Sequence, residues 1–292
     1  EYGYTFLAKY TSTGDFIWVE DFDAFGTGND LEFNEIEIDN QNNLYVLGQF
    51  SGTVDMDPSA NTNNETAVGS DDAVLIKFDA NAIYQWSNSW GGLIDDQAYR
   101  LSLDAFNNII VIGNFKSQVD FDPGAGSDLH IAVDEQDMYI TKFTSTGSFV
   151  FAHTLGGIGN DASNSLFVDQ NDDIYFAGQF SSFSTYDLDP GTGVYNLTTS
   201  LDARDFIVKY SSNGNFEWAT LVAEDGLREI RLDHQNKLLV GGSFNGVFNS
   251  TTDFDLGPGV SSLTSLGNLD VYLLRLQPCY PSSTNDSQVA CD

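Results

Sequence analysis

The chain has 292 residues, enough for two ordinary domains or one large β domain, and 41% of them are hydrophobic, enough for a real core. Forty-three acidic residues against 11 basic leave a net charge of -32, which excludes nucleic-acid binding, because a phosphate backbone needs a basic footprint. No stretch approaches the roughly 18 apolar residues of a membrane span, and "EYGYTFLAKY" at the start has neither region of a secretion signal, so any such signal is expected to have been removed or never included.

In chain order, the first apolar runs are Tyr4 to Tyr10 and Phe16 to Phe22, which match the third and fourth strands of a unit that then recurs. Its second strand is Leu44 to Phe50 ("LYVLGQF"), its third Ala73 to Phe78 ("AVLIKF"), and its fourth carries Tyr84 and Trp86. The next unit opens with Tyr99 to Asp104 ("YRLSLD"), which alternates apolar and polar residues, and continues through Ile109 to Phe115, Met138 to Phe143 and a strand with Phe149 and Phe151. Ser163 to Asp169, Ile174 to Phe180, Phe206 to Tyr210 and a strand with Phe216 and Trp218 repeat the order. Arg228 to Asp233, Leu238 to Phe244 and Val271 to Leu276 end the series. Short β-branched and aromatic runs bounded by turn residues are strands.

One basic residue times the unit: Lys9, Lys77, Lys142, Lys209 and Arg275 recur every 65 to 68 positions. The turn between first and second strands opens with Asp39, Asp104, Asp169 or Asp233, and three residues on stands Asn42, Asn107, Asp172 or Asn236, types that tolerate a left-handed backbone. The last hairpin turns on Gly14, Ala82, Gly147 or Gly214, and its aromatic pair, two residues apart, puts both rings on one face to seal against a neighbouring sheet. Gly48, Gly113, Gly178 and Gly242 recur inside the second strand and predict a close approach of backbones there. Four antiparallel strands per unit with no helical pattern predict an all-β fold, a β-propeller of four units plus a partial one. A β-solenoid has shorter coils. The chain brings a third strand at each end, so a ring closed by this chain alone would leave one redundant. Further blades in a longer protein are expected to resolve the conflict.

The frames "DAFNNIIVIGNF" and "DQNDDIYFAGQF", with "GGIGNDASNSLFVD" before and "DMYITKFTSTGSFVF" after, resemble the bacterial SBBP-type propeller repeat over residues 4 to 276. That repeat runs from a Gly-Gly and acidic lead-in, through an Asp-x-x-Gly-Asn-x-Tyr-Val hairpin, to a Lys-bearing strand and an aromatic one. Here Asn42, Asn107, Asp172 and Asn236 stand where glycine is usual. The resemblance implies the propeller fold and no particular activity. The "DFDPG" variant and the tail "CYPSSTNDSQVACD" also resemble large secreted surface proteins of Bacteroidetes, which implies an extracellular or cell-surface setting and further domains of the same chain.

"VDFDPGAG" at Val119 to Gly126 has degraded copies around Asp55 and Asp57, Asp187 and Asp189, and Asp253 and Asp255. In each pair, with Asp120 and Asp122 the fullest case, two carboxylates stand two apart on an extended backbone and point to one side. That begins a cage for Ca²⁺, which takes six to eight oxygens at about 2.3–2.6 Å. The rest would come from carbonyls, water, or Asp71, Asp72, Asp128 and Asp134 along the same loop. The alternative is a self-capped turn, with each aspartate bonding nearby amides.

Cys279 and Cys291 fall in a short polar tail and read as a disulfide, hence an oxidising compartment; two free thiols are the alternative. His130, His153 and His234 sit at unrelated places in the unit, and no nucleophile elbow, phosphate loop or zinc-protease motif is present. The unit is irregular at Leu221 to Arg228, where the Gly-Gly lead-in is lost, and Arg204 replaces the acid heading the third strand as Asp72, Asp137 and Asp270. The expectation is a propeller domain at 1–277 and a Cys-containing tail at 278–292. The predicted function is a non-enzymatic, secreted or cell-surface module for binding, adhesion or display, stiffened by Ca²⁺, with a glycan or protein ligand at its loops. A lectin or carbohydrate-active enzyme using the channel and a structural spacer are the alternatives.

Overall fold

The structure, a computed structural model, describes residues 5–22, 28–181, 184–199, 204–224, 226–244, 251–255, 259–265, 267 and 269–276. Among these the chain is all β, with no helix. β1 (Thr5–Tyr10) and β2 (Phe16–Phe22) form an antiparallel pair. β3 (Asp30–Ile38), β4 (Leu44–Asp55), β5 (Asn64–Phe78) and β6 (Tyr84–Trp90) form a four-stranded sheet in that order. The next unit has β7 (Gln97–Leu103), β8 (Ile109–Phe115), β9 (Gln118–Asp120), β10 (Leu129–Ile131), β11 (Asp137–Phe143) and β12 (Phe149–Leu155). Its sheet is ordered β7-β8-β11-β12, with β9 and β10 as a separate hairpin.

β13 (Ala162–Val168), β14 (Ile174–Phe180), β15 (Thr185–Asp187), β16 (Asn196–Thr198), β17 (Arg204–Tyr210) and β18 (Phe216–Glu224) repeat the plan. β19 (Leu227–Leu232), β20 (Leu238–Phe244) and β23 (Asp270–Leu276) make a three-stranded sheet, with β21 (Thr251–Asp253) and β22 (Ser262–Thr264) as its hairpin. Every unit is thus a meander with a hairpin inserted between second and third strands. In the first unit that hairpin is the outer part of β4 and β5.

Local turn chemistry behaves as the sequence predicts. Asp104 Oδ1 accepts the amides of Phe106 and Asn108, both at 2.9 Å, and Asn107 takes φ 60°. Asn42, Asp172 and Asn236 have φ 64°, 64° and 57°, and the other hairpin turns on Gly14, Gly147 and Gly214 at positive φ or on Ala82 at 63°. Three of the five timing bases return to the turn between first and second strands, while Lys77 Nζ donates to the Ser145 carbonyl at 2.9 Å. Lys142 Nζ meets Asp104 Oδ2 at 2.9 Å, both buried, Lys209 Nζ meets Asp173 Oδ2 at 2.6 Å, and Arg275 Nε donates to Asp233 Oδ2 at 2.7 Å.

The second-strand glycines have a reason that the sequence alone hides. Gly48 pairs with Phe33, Gly178 with Ser163 and Gly242 with Leu227, and the register slips just there in the first strand. Gly113 stands likewise opposite Ala98. A Cβ on Gly48 would lie 2.1 Å from the Glu32 carbonyl oxygen. At Gly48 the close approach is to the β-bulge of the neighbouring strand in the same sheet.

The aromatic pairs also work within their own sheets. The first ring packs edge-on against the last aromatic of the third strand, at 6.0 Å for Tyr10 and Phe16, 6.2 Å for Phe78 and Tyr84, 6.1 Å for Phe143 and Phe149, and 6.4 Å for Tyr210 and Phe216. Trp86 and Trp218 lean on the second-strand rings of Tyr45 and Tyr175.

The chain divides into two compact units, residues 1–132 with 140–152, and 133–139 with 153–292. In the first, Leu7, Phe22, Leu31, Val46, Val74 and Ile76 lie in one core, and Glu35 Oε2 accepts the Leu101 amide at 2.5 Å to bind β3 to β7. In the second, Ile207, Leu227, Ile230, Val240, Phe254 and Tyr272 share a core, and Ser165 Oγ accepts the Ile230 amide at 3.1 Å to bind β13 to β19.

Candidate functional site

The four inserted hairpins carry the eight aspartates proposed as metal ligands, and all four are capped in one way. Asp55 Oδ1 accepts the amides of Asp57 at 3.1 Å and Asn63 at 2.8 Å. Asp120 Oδ1 accepts those of Asp122 at 3.2 Å and Asp128 at 2.7 Å. Asp187 Oδ1 takes Asp189 at 3.1 Å and Tyr195 at 2.8 Å, and Asp253 Oδ1 takes Asp255 at 3.0 Å and Ser261 at 2.8 Å. The second aspartate caps the next turn: Asp57, Asp122 and Asp189 accept the amides of Ser59, Gly124 and Gly191 at 3.0, 2.8 and 2.8 Å. The residue between the two is buried in every copy, as Met56, Phe121, Leu188 and Phe254.

These bonds also explain a glycine four places after the second aspartate. A Cβ on Gly126, Gly193 or Gly259 would fall 2.1, 2.0 or 2.1 Å from Oδ2 of Asp122, Asp189 or Asp255. Burial works against ionisation of Asp120, but the amides of Asp128 and Asp122 and the Ser127 hydroxyl outweigh it and hold the carboxyl below its usual range.

The first oxygens therefore face backbone N–H dipoles, which favour negative charge and leave a cation little room. The other acids expected on the loop are engaged elsewhere. Asp72 Oδ2 accepts the Val68 amide at 2.9 Å, Asp128 Oδ2 meets His130 Nε2 at 3.2 Å, and Asp134 Oδ2 accepts the Gly159 amide at 3.1 Å. Among the described residues no three acidic, histidine or cysteine side chains come together as a cation cage. The donor set fits a capped turn better than a calcium site.

The hairpins differ in their cross-strand pairs. Thr53 with Thr66, Thr185 with Thr198 and Thr251 with Thr264 join by hydroxyl hydrogen bonds of 3.0, 2.9 and 2.9 Å. In the second hairpin Gln118 faces Ile131 instead, and Leu129 and Ile131 are 58% and 69% exposed.

A second group of acids escaped the sequence reading. Asp96 and Asp161, at the end of the Gly-Gly lead-in, are wholly buried. Asp96 accepts the amides of Gly92 at 2.6 Å and Lys116 at 3.0 Å, and Asp161 those of Gly157 at 2.8 Å and Ser181 at 2.9 Å. The signal for them was the recurring spacing of four from Gly92 to Asp96 and from Gly157 to Asp161. Asp72 and Asp137, their buried neighbours, each present an Oδ1 without a hydrogen-bond partner. That oxygen lies against Gly91 or Gly156, where a Cβ would stand 2.4 or 2.2 Å away.

Burial raises all four carboxyls, and nearby aspartates add to it. Asp96 is pushed up to about 7, with Asp72 and Asp95 contributing. Asp72, Asp137 and Asp161 are pushed up to about 6. Where the lead-in is lost, Asp205 does the holding, one place after Arg204: it is wholly buried, and its Oδ2 accepts the Leu227 amide at 2.6 Å.

Two of the three histidines make local contacts. His153 Nε2 lies 3.0 Å from the Gly214 carbonyl, where Asn88 bonds Gly147 in the earlier repeat, and His130 packs on Phe121. Cys279 and Cys291, and the tail at 278–292, lie outside the described residues.

No protein-family model matches the chain. A WD repeat-containing protein of Acanthamoeba polyphaga mimivirus, itself uncharacterized, is 24% identical over 218 residues, which cover 64% of this chain and 15% of that protein. WD repeats run about 40–45 residues with four strands each. The longer period here is accounted for by the inserted hairpin, since β8 ends at Phe115 and β11 begins at Asp137. Sequence similarity and repeated four-stranded sheets together make this a repeat protein of the β-propeller kind.

Proposed function

We propose that the chain is a non-enzymatic protein-interaction module that presents its inserted hairpins from rigid sheets. The observation that carries this reading is the departure of the second hairpin from the other three. Leu129 and Ile131 occupy one face of β10, where the corresponding residues elsewhere are Asn64 and Thr66, Asn196 and Thr198, or Ser262 and Thr264. Two exposed apolar side chains on a hairpin pinned by its own carboxylate suit a protein partner, since loops on a stiff scaffold bind at low ordering cost.

The burial of Asp72, Asp96, Asp137 and Asp161 supports a role without catalysis. Acids with raised pKa mark active sites only where a substrate can reach them. We extend the reading to a secreted or cell-surface setting of the SBBP type, alongside further domains of the same protein. The net charge of -32 supports it, and a Cys279–Cys291 bridge is proposed with it, for which thiol titration in denaturant is expected to find no free thiol.

The test is selection from a displayed peptide library on the immobilised protein, repeated with the Leu129→Asn, Ile131→Thr variant. Enriched peptides that the variant fails to hold are expected. Glycan-array binding that the variant keeps, or polysaccharide turnover, would replace this reading with the lectin or the enzyme.

A further inference from the structure

The chain before Asp72 and the Gly-Gly lead-in that follows β6 lie side by side next to β9. A Cβ on Gly69 would fall 2.4 Å from the Leu93 carbonyl carbon, and one on Gly92 would fall 2.2 Å from the Gln118 carbonyl oxygen. Gln118 in turn pairs with Ile131. Val68, Leu93 and Ile94 are 65%, 75% and 44% exposed, so the exposed aliphatic side chains of the hairpin continue onto the adjoining chain.

The same segments carry acid. Burial raises the carboxyl of Asp71, and Asp95, Asp30 and Glu32 add to it, so these negative groups lie close enough to repel one another. Lys116 Nζ, 3.4 Å from Asp95 Oδ2, offsets only part of that charge. On the hairpin itself Asp120 stands opposite Leu129. Apolar and acidic places change together one repeat on. Gly159, Asn196 and Thr198 replace Ile94, Leu129 and Ile131 there, and Gln136 and Asn160 replace Asp71 and Asp95. Val133 and Ile158 stay apolar, while Asp134 and Glu135 are engaged by the Gly159 amide and the Asn160 side chain.

Building on the docking role of the β9–β10 hairpin, we propose that this surface takes an extended polypeptide segment in which aliphatic residues alternate with lysine or arginine. Leu129 and Ile131 stand two apart on a strand, the spacing at which an extended partner presents like side chains. The partner's aliphatic side chains cover the apolar row, and its cations meet Asp71 and Asp95 and relieve their repulsion. A second copy of the chain would instead bring its own net charge of -32 against these carboxylates.

The probe is a fluorescein-labelled peptide of alternating Lys and Leu (KLKLKLK), added to the whole chain and followed by anisotropy. Saturable binding below about 1 mM is expected, weakening as salt rises, with none for KSKSKSK or ELELELE. Asp71→Gln with Asp95→Asn, the residue types that the next repeat folds with, should weaken it about fivefold, and Leu93→Ser about threefold. Asp15→Asn with Asp79→Asn removes as much charge in the turns that follow β1 and β5, and should change it less than about twofold. No saturable binding, binding that the Asp71 and Asp95 variant keeps, or equal binding of KSKSKSK would overturn the proposal. So would dimerisation lost in Leu93→Ser without any peptide binding, because the occupant would then be a second copy. Library peptides that need Leu129 and Ile131 but carry no excess of Lys or Arg would rule out the basic partner while the docking hairpin stands.

Discussion

Asp96 Oδ2 accepts the amide of Gly92 at 2.6 Å, and the carboxyl that makes this bond is wholly buried with a pKa of about 7. A raised folded-state pKa contributes stability that is fully present below the unfolded value, near 4, and is lost as pH rises through 6 to 7. Asp72, Asp137 and Asp161, at about 6, act in the same direction. Asp104 and Asp120 have lowered values and act oppositely, losing their contribution as pH falls below about 4. Urea unfolding is therefore expected to show stability rising from pH 8 to 5 and falling below 4. Asp72→Asn should flatten the rise by about 1–3 kcal/mol. A flat profile between pH 8 and 5 would contradict the burial of these acids.

The caps of the inserted hairpins are expected to matter unequally. Asp120 accepts two amides across its loop and Asp122 one from the next turn. Hydrogen bonds to a charged group contribute about 1.5–3 kcal/mol, so Asp120→Ala should cost about 2 kcal/mol and Asp122→Ala clearly less. Equal costs in denaturant titrations would remove the distinction.

Calcium gives a direct comparison of cage and cap. Because Oδ1 of Asp55, Asp120, Asp187 and Asp253 already accepts two amides, millimolar Ca²⁺ should raise the melting temperature no more than Mg²⁺ at equal ionic strength. A saturable, Ca²⁺-specific rise lost in Asp120→Ala would restore the cage.

Gly48 and Gly241 offer a controlled pair of glycines within second strands. A Cβ at Gly48 meets the Glu32 carbonyl oxygen at 2.1 Å, while one at Gly241 meets nothing within 4 Å. Gly48→Ala should destabilise the protein by about 3 kcal/mol or prevent folding, and Gly241→Ala should stay within about 1 kcal/mol of the parent. Thermal melts of the two variants decide it.

Local chemistry was legible in the sequence. The period set by Lys9, Lys77, Lys142, Lys209 and Arg275, the strand runs, and the left-handed turns at Asn42, Asn107, Asp172 and Asn236 all follow from residues a few places apart, so the sequence alone determined a β repeat of the propeller kind. The inserted hairpin was visible only as a copied "DFDPG", which cation binding and self-capping explain equally well. Tertiary structure favoured capping, because the deciding bond joins residues eight apart, as Asp120 to the Asp128 amide, and exists only once the loop has closed. It also decided which acids are buried. Nothing local separates Asp96 from Asp95 as charges, but the fold turns one onto the amides of Gly92 and Lys116 and leaves the other beside the Lys116 ammonium at 3.4 Å. Burial is a property of what packs around a residue, and that is set by strands brought together from distant parts of the chain.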